Sequence, residues 1–127
     1  MTPIEDHQIA AAIGEPLIAD VVSAFYRRVP QDDILGPMYP PDDMDGAANR
    51  LTSFLIFRFG GSQGYLQERG HPRLRVRHAP FEINQAARDR WFELMDAAIG
   101  ECQVPEPAAS VMRRFLATTA SFLMNSK

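Results

Sequence analysis

Apolar residues recur along this chain at intervals of three and four, the spacing of helices with one buried face, and no stretch alternates convincingly at intervals of two. Leu17, Val21, Phe25 and Val29 form one stripe, with Ile18, Val22 and Tyr26 beside it, wide enough to be buried. Pro16 opens that helix and Pro30 ends it. Upstream, Thr2-Pro3 reads as the cap and first residue of a short helix that runs to Ile13 and stops at Gly14. Asp32 to Leu35 gives one turn of helix. Gly36-Pro37-Met38-Tyr39-Pro40-Pro41 is read as irregular and rigid, with Tyr39 on its corner. A third helix, capped by Asp42 or Asp43, carries Met44, Ala47, Ala48, Leu51, Phe54 and Leu55 on one face and stops at Gly60-Gly61. Gly64 to Arg69 is a weak short helix. Asn84 caps a fourth long helix, with Trp91, Leu94, Met95, Ala98, Ile99 and Cys102 on one face. After Val104-Pro105-Glu106-Pro107, the last helix runs from about Ala108 to Met124, with Val111, Phe115, Leu116, Thr119, Phe122 and Leu123 inward. The expected fold class is all-α, one domain over residues 1–127, with the second helix paired to the third and the fourth to the fifth.

Between the two pairs lies a long connection. Its segment Arg69-Gly70-His71-Pro72-Arg73-Leu74-Arg75-Val76-Arg77-His78-Ala79-Pro80-Phe81 holds two of the three histidines and four arginines. Gly70 and Pro72 break a helix arriving from upstream, and Pro80 biases Ala79 away from helical geometry. His78 is thus on a short, bounded piece of backbone. Such a segment is either an arginine-rich surface loop or a metal- or cofactor-ligating histidine with cationic neighbours that grip an anion. A connection of this length in a small domain is usually functional or held by something. A bound cofactor would complete the core.

Composition narrows the classes. A hydrophobic content of 46% in 127 residues is ordinary for a globular domain. A net charge of -3 argues against a general nucleic-acid binder. The single cysteine, Cys102, excludes an internal disulfide and fits a reducing compartment. No run approaches the ~18 apolar residues that span a bilayer, and no signal-peptide pattern stands out. A soluble cytoplasmic protein without a membrane partner is expected. Taken singly, Tyr26 reads first as plain core and Tyr39 as a packed corner aromatic. Trp91 reads as a core ring whose N–H needs an acceptor if buried.

Taken together these residues resemble a family. Gly60-Gly61, Tyr65, the Arg69-to-Phe81 block and Arg88-Asp89-Arg90-Trp91, with Phe25-Tyr26, Met38-Tyr39-Pro40 and Ala47 through Leu55, resemble the truncated haemoglobins of group II, the O-type branch, over nearly the whole chain. The resemblance implies a two-over-two helical sandwich around haem b. It makes His78 the ligand to the iron, with His71 in the block but not at the ligand position. It places Tyr26, Tyr39 and Trp91 on the opposite, distal face as hydrogen-bond donors to the bound ligand. Ala47 falls where ordinary globins carry a distal histidine, and Leu51 and Phe54 wall the pocket. Arg77 is placed to pair a haem propionate, with Arg50 and Tyr65 as further candidates. Phe81, Ile83 and Met95 are placed against the porphyrin. Two positions depart from the family: Ser62, where proline is usual, and Phe59, where a larger aromatic is common.

The function so implied is binding of oxygen, carbon monoxide, nitric oxide or peroxide. Several distal donors imply tight oxygen binding, which suits redox or detoxification chemistry better than delivery. The alternative is an enzyme proper, a nitric-oxide dioxygenase or a peroxidase-like protein. Either would need a separate reductase, since no flavin or nicotinamide motif is present. The peroxidase form ranks second because the histidine–arginine pairing of dedicated peroxidases is missing. A helical interaction module whose arginines contact an acidic or nucleic-acid partner is disfavoured by the net charge. The oligomeric state, a homodimer included, stays open.

Overall fold

The structure, a computed structural model, describes residues 4–62, 78–79 and 81–126. Its regular elements there are helical. A single 3-10 turn, Asp6–Gln8, leads into α1 (Ile9–Ile13). Then follow α2 (Glu15–Arg28), 3-10 turns at Gly36–Met38 and Pro41–Asp43, α3 (Met44–Arg58), α4 (Gln85–Glu101) and α5 (Ala108–Phe122).

Local chemistry sets most of these boundaries. Glu5 and Gln8 form a reciprocal capping box at the first turn. Thr2-Pro3, expected to cap it, lies outside the described residues, as does the expected helix from Gly64 to Arg69. Gly14, at φ 87°, separates α1 from α2, and Pro16 sits in the first turn of α2, where its missing N–H costs nothing. Asn84 caps α4 as expected: its side-chain oxygen accepts from Ala87 N–H at 2.9 Å. Asp43 does precede α3, but its carboxylate is spent on Arg50 rather than on the helix N–H groups.

The segment from Gly36 to Pro41 is more regular than expected. Two prolines begin single 3-10 turns, each placed where the turn needs no N–H. Asp32 to Leu35 forms a single turn, as expected: Gly36 N–H donates to the Asp32 carbonyl at 3.0 Å, and the Asp32 carboxylate caps the turn by accepting from Ile34 N–H at 3.0 Å and Leu35 N–H at 2.8 Å.

α2 packs against α3 on one side and α4 on another, α4 packs against α5, and α1 closes onto α2 and α5. The expected pairs α2/α3 and α4/α5 are thus both formed, and they meet as a two-over-two sandwich. Phe25, Ile18, Leu55, Phe59, Met95, Ile99, Met112 and Leu116 fill the shared core. Phe59 meets Phe115 edge-on at 5.4 Å. Phe122, expected to face inward, ends α5 and is 55% exposed. The turn after α3 is held against the N-terminal segment. A Cβ on Gly60, itself at φ 89°, would lie 1.8 Å from the His7 carbonyl oxygen, and Ala10 N–H donates to the Phe59 carbonyl at 2.9 Å. His7 is exposed, as expected of a surface residue. Among the described residues no single helix is long and apolar enough to cross a membrane.

Candidate functional site

Three elements deliver one aromatic cluster. Tyr26 lies in the last turn of α2, on the flank of its apolar stripe, next to the fully buried Phe25. Tyr39 sits between the two 3-10 turns. Pro40 forces the preceding residue out of helical geometry, and Tyr39 is accordingly extended, at φ -115°, ψ 125°. Trp91 lies in the second turn of α4. Phe25 is the hub: its ring meets Tyr26 edge-on at 5.0 Å and Trp91 at 5.6 Å, and the Tyr26 and Tyr39 rings stand perpendicular at 5.6 Å.

The polar ends of the cluster meet. Burial pushes the Tyr26 hydroxyl far above its usual range, and the neighbouring Tyr39 pushes the same way. Burial also raises Tyr39, while hydrogen bonds with Tyr26 and Trp91 pull it partly back. The indole N–H can only donate, so Trp91 gives its proton to the Tyr39 oxygen, and the two phenols share one further hydrogen bond. Both phenols stay protonated through neutral pH.

The other expected residues fall as follows. Leu51 is half-buried and Phe54 buried on the core-facing side of α3, with Ala47 half-buried a turn before Leu51. Arg50 pairs with Asp43 at 2.6 Å, close enough that both act on the Tyr26 hydroxyl. His78 is half-buried and its carbonyl accepts from Phe81 N–H at 3.0 Å. Phe81 is 43% exposed, Ile83 is half-buried, and Met95 is fully buried in the core. Tyr65, Arg77 and His71 lie outside the described residues.

One support of the cluster has no counterpart in the sequence reading. Arg90, the residue before Trp91, reaches the Asp32 carboxylate and also Asp33 at 2.9 Å. This latch joins the helix of Trp91 to the turn between Tyr26 and Tyr39. Burial works against the Asp32 charge, but Leu35 N–H, Arg90 and Ile34 N–H outweigh it and hold the carboxyl below its usual range. A depressed carboxyl adds stability that is present above the usual carboxylate range and is lost as the pH falls through the native value. Asp32→Asn should therefore lower the thermal midpoint at neutral pH by about 5 °C, a typical effect of one lost interior contact in so small a domain. The gap to the wild type should close below about pH 4. A calorimetric series in pH checks this, and a gap that does not change with pH contradicts it.

An all-helical two-over-two sandwich with a half-buried Tyr/Tyr/Trp cluster is the frame of a small globin. The chain belongs to the bacterial-like globin family, whose model matches residues 10–125, and within it to the group II truncated haemoglobins. It is 34% identical over 114 residues to a group 2 truncated hemoglobin of Bacillus subtilis, covering 90% of this chain and 86% of that one. Among solved structures, the hemoglobin of the thermophilic phototrophic bacterium Chloroflexus aurantiacus is 43% identical, with a TM-score of 0.88 over 92% of this chain and 97% of that one. A truncated oxygen-avid haemoglobin from Bacillus subtilis is 33% identical, with a TM-score of 0.87 over 92% and 98%.

Globins bind haem and small gaseous ligands such as oxygen. The residues present fit that group. The imidazole of His78, half-buried in its turn, is a ligand type that haem iron takes. Burial keeps Tyr26 and Tyr39 as phenols, suited to donate hydrogen bonds and unsuited to coordinate iron as phenolates.

Proposed function

We propose that this chain is a haem b protein that holds oxygen tightly at an iron ligated by His78, for redox or detoxification chemistry rather than delivery. The convergence of two phenols and one indole N–H is the observation that supports it most. Trp91 N–H donates to the Tyr39 oxygen and the two phenols share one hydrogen bond, which leaves one phenolic O–H not used within the cluster; we assign that proton to Tyr39.

Haem supplies the ligand chemistry: ferrous iron lends electron density to a diatomic ligand, more to oxygen than to carbon monoxide. The chain acts on that charge. Tyr39 donates to the ligand, and the two bonds it accepts strengthen its own donation. Leu51 and Phe54 keep water out, and the small Ala47 leaves the entrance open. One hydrogen bond to a charged acceptor contributes about 1.5–3 kcal/mol, which slows oxygen loss by roughly ten- to a hundredfold. A protein this slow to release oxygen is poorly suited to carrying it. The oxygen-avid relative from Bacillus subtilis is in keeping with this. Arg77, Tyr65 and Arg50 are assigned to the propionates, Arg50 by exchanging Asp43 for one of them. Phe81, Ile83 and Met95 line the porphyrin.

Trp91→Phe keeps an aromatic ring in the core and removes one donor to Tyr39. It should raise the oxygen dissociation rate at least several-fold, read by stopped-flow displacement with carbon monoxide. An unchanged rate removes Trp91 from the donors. Mixing the oxygen-loaded protein with nitric oxide tests the use made of the ligand. Fast one-for-one oxidation followed by turnover with an added reductase makes the protein a nitric-oxide dioxygenase. Oxidation without turnover leaves it a binder.

A further inference from the structure

The turn that begins at His78 is tied down by the far end of the chain. Asn125 lies just past the end of α5. Its side-chain oxygen accepts from Ile83 N–H at 2.8 Å, and its amide group donates to the Phe81 carbonyl at 2.8 Å and to the His78 carbonyl at 3.4 Å. The partners fix the orientation of the amide. Ile83 N–H can only donate and the Phe81 carbonyl can only accept, so a flipped amide would lose both bonds. The tail backbone adds to the clasp: Asn125 and Ser126 N–H both donate to the Ile83 carbonyl, at 3.0 and 3.2 Å. Ser126 Oγ meets Glu82 at 3.2 Å. Within the turn, Phe81 N–H closes onto the His78 carbonyl at 3.0 Å. One side-chain amide thus grips the backbone of residues 78, 81 and 83 together.

We infer that Asn125 is a positioning residue for the iron ligand: by holding the backbone of this turn it sets the direction and tension with which the His78 imidazole meets the iron. This rests on His78 being that ligand. Groups that orient a ligating histidine usually act on its ring nitrogen. Here the hold is on the main chain, where a turn that includes Pro80 has one N–H fewer with which to brace itself. A histidine on a loosened turn changes its tilt over the porphyrin and with it the strength of the iron–nitrogen bond.

The test is resonance Raman spectroscopy of the ferrous, ligand-free holoprotein, read at the iron–imidazole stretching band, together with the rate of hemin loss. Asn125→Ala should shift and broaden the band and speed hemin loss by about three- to tenfold, the scale of one or two lost hydrogen bonds. Asn125→Asp keeps the acceptor for Ile83 and removes the donors to Phe81 and His78, so it should shift the band as well. It also carries the test should Asn125→Ala not fold. Ser126→Ala removes only the contact to Glu82 and should keep the wild-type band. If it moves the band as far as the Asn125 variants do, general loosening of the tail explains the effect and the inference falls. His78→Gly separates the two levels. A band that survives in it overturns the ligand assignment. A band that vanishes in it, while both Asn125 variants keep the wild-type band, leaves the ligand in place and overturns the role of Asn125.

Discussion

Tyr39→Phe should release oxygen roughly ten- to a hundredfold faster than the wild type, with the carbon monoxide dissociation rate changed by less than about twofold. The substitution keeps the ring, so the perpendicular contact with Tyr26 at 5.6 Å survives and the corner after α2 has no cavity to fill. What disappears is the hydroxyl at which the cluster converges. The proposed donor to the ligand goes, and Tyr26 and Trp91 lose their shared hydrogen-bond partner. Oxygen feels the loss because it carries more negative charge than carbon monoxide when held at ferrous haem. Tyr26→Phe removes only a bond that strengthens Tyr39 and should have the smaller effect of the two. Stopped-flow displacement read on both ligands decides. Equal acceleration for oxygen and carbon monoxide would point to a widened pocket rather than a lost donor.

His78→Ala should lose hemin to a high-affinity acceptor more than about a hundredfold faster than the wild type, beyond the 10- to 100-fold that outer partners of a metal ligand carry. The side chain is half-buried in a turn that the tail braces independently of the ring, so the helical core should persist, with unchanged far-ultraviolet circular dichroism. His78→Gly with added imidazole should recover the wild-type ferrous spectrum, because the small ligand replaces the missing ring. Retention of hemin by His78→Ala at the wild-type rate would assign the iron to another residue.

The helix pairs were legible because each depends on a local pattern. The stripes of α2 and α4, the break at Gly14, the Asn84 cap and the Gly60-Gly61 stop are all set by neighbours in sequence, and the structure places them as expected. The two 3-10 turns were not legible, since proline reads equally as a breaker and as the first residue of a turn. The Tyr26–Tyr39–Trp91 cluster had no local signature either. Tyr26 and Trp91 lie on or beside core stripes and pass for ordinary core aromatics. Only the resemblance to group II truncated haemoglobins grouped them with Tyr39. The contacts that the reading missed join residues far apart in the chain: Arg90 to Asp32, and Asn125 to the His78 turn. Each is a single charged or amide side chain on an otherwise polar surface, with nothing in its own neighbourhood to announce a partner. Arg50 is a further propionate candidate by the resemblance, and its pairing with Asp43 beside Tyr26 had no signal in the sequence.

The central proposal is a haem held by His78 with an exchangeable position facing the aromatic cluster. An ultraviolet-visible spectrum of the purified protein tests this most directly, taken as isolated, after reduction, and after reduction under carbon monoxide. The predicted result is a strong Soret band that shifts on reduction and moves under carbon monoxide to the position of a histidine-ligated carbonyl complex. A protein that shows no Soret band, even after hemin is added, would contradict it.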